Sequence, residues 1–191
     1  RLLGDWTDDT LDFTGVTLIG NISIDGGGGA DVIIGNDAAN TITGGTGQDN
    51  LDGADGGDTY VVTGNIAGGW SSFSDYDLYA DSGASGIDTI AAVGKGNVDI
   101  GLDEFDQTSG VEVIDATLAT GKVRLVGDWE SDVFDFSGVT FKGKITIDAG
   151  GGDDTVIGTA GAETIAGSSG NDVLTGGAGN DAFLFNAKPD V

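Results

Sequence analysis

Apolar residues recur along this chain at intervals of nine. Ile33, Ile42, Leu51 and Tyr60 make one run, and Val156, Ile165, Leu174 and Phe183 make a second. Each apolar residue follows a stretch rich in Gly, Asp, Asn and Ala. Three residues centred on one apolar position predict a very short strand with a single side chain pointing inward. The six residues between strands must reverse the chain in a tight loop, at backbone angles costly for any residue with a Cβ. Two such units make one turn of a flattened coil. Residues 18 apart then stack in parallel strands about 4.8 Å from each other, and the apolar positions fill a narrow interior from both sides. No stretch shows a 3.6-residue period, so almost no helix is expected.

Written in register, the first run reads GGGGADVII (26–34), GNDAANTIT (35–43), GGTGQDNLD (44–52) and GADGGDTYV (53–61). The second reads AGGGDDTVI (149–157), GTAGAETIA (158–166), GSSGNDVLT (167–175) and GGAGNDAFL (176–184). The sixth position is Asp except at Asn40 and Glu163, which occupy matching places in the two runs. A longer repeat contains the short one: GDWTDDTLDFTGVTLIGNISID from Gly4 returns as GDWESDVFDFSGVTFKGKITID from Gly127, an offset of 123 residues. Internal repetition on this scale marks a solenoid or an array. The chain divides into a first repeat unit (1–62), a β-rich spacer (63–123) and a second repeat unit (124–191). The lead-in segments follow the nine-residue frame loosely, with Asp9 and Asp132 sixth, and GASGIDTIA at 83–91 fits it with Asp88. In the spacer, NVDIGL and VEVIDATL alternate as half-buried strands do, and the coil is expected to break once near 63–82. Trp6 and Trp129, at equivalent sites, are expected to pack in or cap the core. Trp70, Phe73, Tyr76 and Tyr79 are expected to cover the end of the first roll.

Charge changes the picture. The chain of 191 residues has 32 acidic and 7 basic residues, a formal net charge of −25, and no His, Cys or Met. That removes thiol and imidazole chemistry, disulfides and zinc-finger sites. Nucleic acid is a poor partner for so acidic a chain, and no apolar run is long enough to span a membrane as a helix. The first residue is Arg1, so the chain is expected to be part of a longer protein. The predicted stacking sets Asp31 over Asp49 and Asn40 over Asp58, then Asp154 over Asp172 and Glu163 over Asp181. Two carboxylates about 5 Å apart repel by about 1 kcal/mol in water and about 3–4 kcal/mol at the effective dielectric of a protein surface. All seven basic residues lie outside the nonapeptide runs, so a cation from solution is required. Calcium accepts six to eight oxygens, carboxylate and carbonyl alike, in flexible geometry; magnesium demands a near-ideal octahedron.

Gly-Gly-x-Gly-x-Asp-x-apolar-x, met in full in GGTGQDNLD and GGAGNDAFL, resembles the RTX (repeats-in-toxin) nonapeptide, a calcium-binding β-helix repeat. The resemblance implies an all-β fold, a right-handed parallel β-roll or β-helix, here two RTX-type rolls joined by the β-rich spacer. It also implies calcium between successive turns and bacterial export by type I secretion. Carried onto this chain, the metal-site residues are Asp31, Asp49, Asp58, Asn40, Asp154, Asp172, Asp181 and Glu163. Gly27, Gly29, Gly45, Gly47, Gly177 and Gly179 shape the loops around them. About two to three ions per roll are expected, with weaker or altered binding at Asn40 and Glu163.

These features favour a non-catalytic, calcium-binding structural module of a larger secreted or bacterial cell-surface repeat protein, adhesin-like or surface-layer-like. The alternative is the C-terminal module of a secreted protease, lipase or polysaccharide-modifying enzyme, with catalysis outside this chain. Surface polysaccharide or neighbouring repeat units are further candidate partners. The third loop positions carry no regular ladder of Thr, which argues against an ice-binding face.

Overall fold

A computed structural model describes residues 1–20, 22–64 and 76–185. The described residues contain strands, turns and bends and no helix, so none is long and apolar enough to cross a membrane. The strands are β1 (Leu2–Leu3), β2 (Thr10–Asp12), β3 (Ser23–Gly28), β4 (Val32–Ile34), β5 (Thr41–Thr46), β6 (Asn50–Asp52) and β7 (Thr59–Val62) in the first unit. The spacer adds β8 (Tyr76–Tyr79), β9 (Thr89–Gly94), β10 (Val98–Leu102) and β11 (Val113–Ala119), followed by β12 (Val123–Val126) at the seam. The second unit continues with β13 (Val133–Asp135), β14 (Thr140–Lys142), β15 (Ile145–Asp148), β16 (Thr155–Ile157), β17 (Thr164–Ala166), β18 (Val173–Thr175) and β19 (Ala182–Leu184).

Among the described residues every strand pairing is parallel, and consecutive strands fall in different sheets, as a solenoid requires. One sheet runs β1-β3-β5-β7-β9-β11-β14 and the other β2-β4-β6-β8-β10-β12-β15-β17-β19, with a third short sheet β13-β16-β18. Within the nonapeptide runs the register is the expected 18 residues: Ile24 lies against Ile42, Ile33 against Leu51 and Ile42 against Tyr60. Both ladders cross from the first unit into the spacer, through β7–β9 and β6–β8. The expected interruption near 63–82 falls largely on 65–75, outside the described residues. The two copies use the faces differently. β1, β3, β5 and β7 belong to the seven-stranded sheet, whereas β12, β15, β17 and β19, which repeat them, belong to the nine-stranded one.

Within the rolls the interior is a narrow file of eighth-position side chains contributed by both sheets. Ile33, Ile42, Leu51, Tyr60, Val156 and Ile165 are buried, together with Ile24, Tyr79, Ile90 and Ile147. Leu174 is only partly buried and Phe183 is 38% exposed, because β18 and β19 are edge strands paired on one side only. Tyr76 and Tyr79 of the aromatic cluster are buried at the top of the first unit, and Tyr79 packs edge-on against Tyr60 at 5.5 Å. Trp70 and Phe73 lie outside the described residues. The tryptophans depart from expectation: Trp6 is 85% and Trp129 48% exposed. The Trp6 ring lies over Gly28 and the Trp129 ring over Gly151, both third-position residues of the next loop. Both therefore lie outside the core, against a glycine of the neighbouring turn.

Burial of this file is the apolar part of the stability. Ile42 is completely buried between Ile24 and Tyr60. Ile42→Ala is expected to cost about 2–5 kcal/mol, read as a lower denaturation midpoint in urea at saturating calcium.

Candidate metal centre

The sixth-position residues form hydrogen-bonded ladders along the edges of the coil. In the first, Asp9 N–H donates to Asp31 Oδ1 at 2.8 Å, Asp31 N–H to Asp49 Oδ1 at 2.9 Å, and Asp49 N–H to Asp77 Oδ1 at 3.1 Å. In the second, Asn40 N–H donates to Asp58 Oδ1 at 2.6 Å, Asp58 N–H to Asp88 Oδ1 at 2.7 Å, and Asp88 N–H to Glu112 Oε2 at 2.8 Å. In the second copy Asp132 N–H donates to Asp154 Oδ1, Asp154 N–H to Asp172 Oδ1, and Glu163 N–H to Asp181 Oδ1, at 3.0–3.1 Å. One oxygen of each carboxylate therefore satisfies a loop N–H that would otherwise be an orphan donor. The repulsion inferred from sequence is partly offset by these charge-assisted bonds.

The second oxygen has a different fate. Oδ2 of Asp31, Asp58 and Asp154 is buried with no hydrogen-bond partner. A buried carboxylate oxygen left unpaired is costly. Burial is the main cause that raises Asp31 above the ordinary carboxylate range, and it pushes Asp154 to about 6 and Asp58 to about 7. Neighbouring aspartates raise all three further, and the backbone N–H of the adjacent ladder residue pulls each down. Asp132, at the head of its ladder, reaches about 8 by burial and by the charges of Asp128 and Asp154. A bound cation reverses this logic, since it favours the charged form.

The glycines make the space. Each first-position glycine lies under its own loop's carboxylate: a Cβ at Gly26, Gly44, Gly53, Gly167 or Gly176 would overlap Oδ2 of Asp31, Asp49, Asp58, Asp172 or Asp181. The second and fourth positions, Gly27, Gly29, Gly45, Gly47, Gly177 and Gly179, all have positive φ, for example +123° at Gly45 and +121° at Gly47. They also meet the carbonyls of the neighbouring turn. A Cβ at Gly45 would overlap Gly27 O and one at Gly47 would overlap Gly29 O. The loops thus bring carboxylate and carbonyl oxygens together, which is the donor set of a hard divalent cation. Arg1 and Arg124 pair instead with Asp25, Asp99 and Asp148, away from the ladders.

The family described as RTX calcium-binding nonapeptide repeat (4 copies) matches residues 25–60, 146–162 and 157–187. The chain carries RTX calcium-binding nonapeptide repeats in both of its repeat units. No curated protein and no solved structure matches it. RTX repeats bind calcium, and the unpaired Oδ2 atoms of Asp31, Asp58 and Asp154 all lie inside the matched segments.

Two RTX loops are built otherwise. In the loop before Thr41, Asn40 Oδ1 accepts Asn36 N–H at 2.9 Å, while Asn40 Nδ2 donates to Asn36 Oδ1 at 2.8 Å and to Ala38 O at 2.6 Å. In the loop before Thr164, Glu163 Oε1 accepts the Thr159 hydroxyl at 2.6 Å and Oε2 accepts Thr159 N–H at 3.1 Å. The second-position side chain, Asn36 or Thr159, fills the loop in place of glycine, and the sixth-position group is fully bonded within the protein. The structure therefore groups Asn40 and Glu163 with self-closed loops. It also places beside the expected residues several that the sequence reading left out of the site: Asp9, Asp77, Asp88, Glu112 and Asp132 on the ladders, and Asp81 near Asp58. Asp9, Asp88 and Asp132 sat in recognisable frames. Asp77, Asp81 and Glu112 sit in none.

Proposed function

We propose that the chain is a calcium-stiffened structural module of a larger secreted or cell-surface protein, adhesin-like or surface-layer-like. Calcium is held by the outer carboxylate oxygens of Asp31, Asp49 and Asp58 in the first roll and of Asp154, Asp172 and Asp181 in the second. The positive-φ glycines Gly27, Gly29, Gly45, Gly47, Gly177 and Gly179 present carbonyls to the same ions. The observation that carries this reading is the set of buried, unpaired Oδ2 atoms inside RTX-matched loops. Asn40 and Glu163 act as loop closures that need no ion, so the stoichiometry falls at the lower end of about two to three ions per roll. The ladders that run from β7 to β9 and from β12 to β15 support a module that transmits stiffness through the spacer, residues 63–123, to both repeat units.

Calorimetric titration with calcium tests the assignment. The wild-type chain is expected to bind several ions, and Asp31→Ala together with Asp154→Ala to lose at least one per copy while Asn40→Ala loses none. Unchanged stoichiometry in the double variant would remove these aspartates from the site.

A further inference from the structure

The loop that joins β8 to β9 differs from every nonapeptide loop below it. In the β6–β8 register Leu51 lies against Tyr79, and Ala80 N–H donates to Leu51 O at 3.0 Å. Two residues beyond that pair, Gly53 therefore faces Asp81. An acid stands where the loop beneath has its first-position glycine. Asp81 and Asp88 come from this one loop, and Asp58 from the loop beneath. Their carboxylate oxygens lie within 4.8 Å of one another, and all three residues are buried, Asp58 completely.

Asp58 and Asp88 are each fixed through Oδ1, and Asp81 through both oxygens. Oδ1 of Asp58 accepts Asn40 N–H, Oδ1 of Asp88 accepts Asp58 N–H, and Oδ1 of Asp81 accepts Gly83 N–H at 2.9 Å. The Tyr60 hydroxyl accepts Gly53 N–H at 2.7 Å and donates to Asp81 Oδ2 at 2.7 Å, which locks that carboxylate in place. Asp58 Oδ2 is buried without a hydrogen-bond partner, and it lies over Gly53. The ladder bonds alone do not explain this arrangement, because Asp81 belongs to no ladder and adds a third negative charge beside an oxygen that already lacks a partner.

We propose that the Asp58 site takes in Asp81 and Asp88 to form one carboxylate-rich cation site that clamps the first roll to the spacer. It binds a hard divalent cation more tightly than the sites within the rolls. The nature of the ion rests on the calcium reading above; the location and rank of the site rest on the trio itself. Affinity at oxygen sites rises with the number of charged ligands and with site rigidity, and here both are higher than in a nonapeptide loop. Tyr60 is a positioning residue, an outer partner that orients Asp81.

Competition of the full chain with a chromophoric calcium chelator resolves tight from weak ions. In Asp81→Asn the tightest class is expected to weaken by at least about tenfold, and in Tyr60→Phe by about 10- to 100-fold, the range for loss of an outer-shell partner. The weaker sites keep their number. Asp81→Gly, which restores the residue type of the loop beneath, is expected to show the same loss with an unchanged β signal at saturating calcium. It separates loss of a ligand from failure to fold. An unchanged tight class in Asp81→Asn and Asp81→Gly, with weaker sites intact, overturns the trio and leaves the roll sites standing. A wild-type chain that binds no calcium overturns both readings.

Discussion

Removing calcium at pH 8 is expected to abolish the β-sheet signal of this chain in far-ultraviolet circular dichroism, and restoring calcium to return it. Ordering each backbone residue costs about 1–2 kcal/mol of conformational entropy, and glycine loses the most freedom. The chain has 37 glycines, and most of its strands within the nonapeptide runs are three residues long with one inward side chain. The apolar file is too thin to offset that entropy together with buried carboxylates whose second oxygens are unpaired. A cation shared by those oxygens removes the electrostatic cost and adds binding free energy to folding. Full β signal in excess chelator at pH 8 would contradict the account.

Protons are expected to replace calcium in part, with a defined sign. Burial places Asp154 at about 6, Asp58 at about 7 and Asp132 at about 8, against an ordinary value of 3.8. A raised folded value means that the native state holds more protons than the unfolded chain across this window. The resulting stability is fully present below the unfolded value and is lost as pH rises through about 6 to 8. In chelator, acidification from pH 8 to about pH 5 therefore recovers β signal, whereas at saturating calcium the signal is already present at pH 8. Calcium affinity falls over the same range because protons compete for the same oxygens. A chelated chain that gains structure as pH rises would reverse the expected sign and refute the burial of these carboxylates.

The repeat made much of the fold legible. A strand centred on one apolar residue and a loop of fixed length leave a single register, so Ile33, Ile42 and Leu51 were identifiable as core and residues 18 apart as neighbours. Geometry finer than the repeat was not legible. Spacing places Asp31 over Asp49 but does not reveal that one oxygen of Asp49 caps Asp31 N–H. The loops of Asn40 and Glu163 were visible as exceptions, but their closure by Asn36 and Thr159 depends on a second-position side chain turning inward. Elsewhere Ala54 and Ser168, also at second positions, adopt φ of 66° and 68° as glycine would. In the spacer the pairing interval changes from turn to turn. Asn50 meets Leu78, Thr59 meets Thr89 and Val98 meets Val123, so no fixed frame locates Asp77, Asp81 or Glu112. The tryptophans were misplaced because a conspicuous aromatic at a repeated site reads as core, whereas here it lies flat on a glycine of the next turn.

A crystal grown with millimolar calcium addresses the shared-ion idea at the level of atoms. Ions are expected at about 2.3–2.6 Å from Oδ2 of Asp31, Asp58 and Asp154, with the Oδ1 ladder unchanged and the loops of Asn40 and Glu163 holding none. An ordered coil in which those Oδ2 atoms meet only water would show that the carboxylate edges stand without a cation.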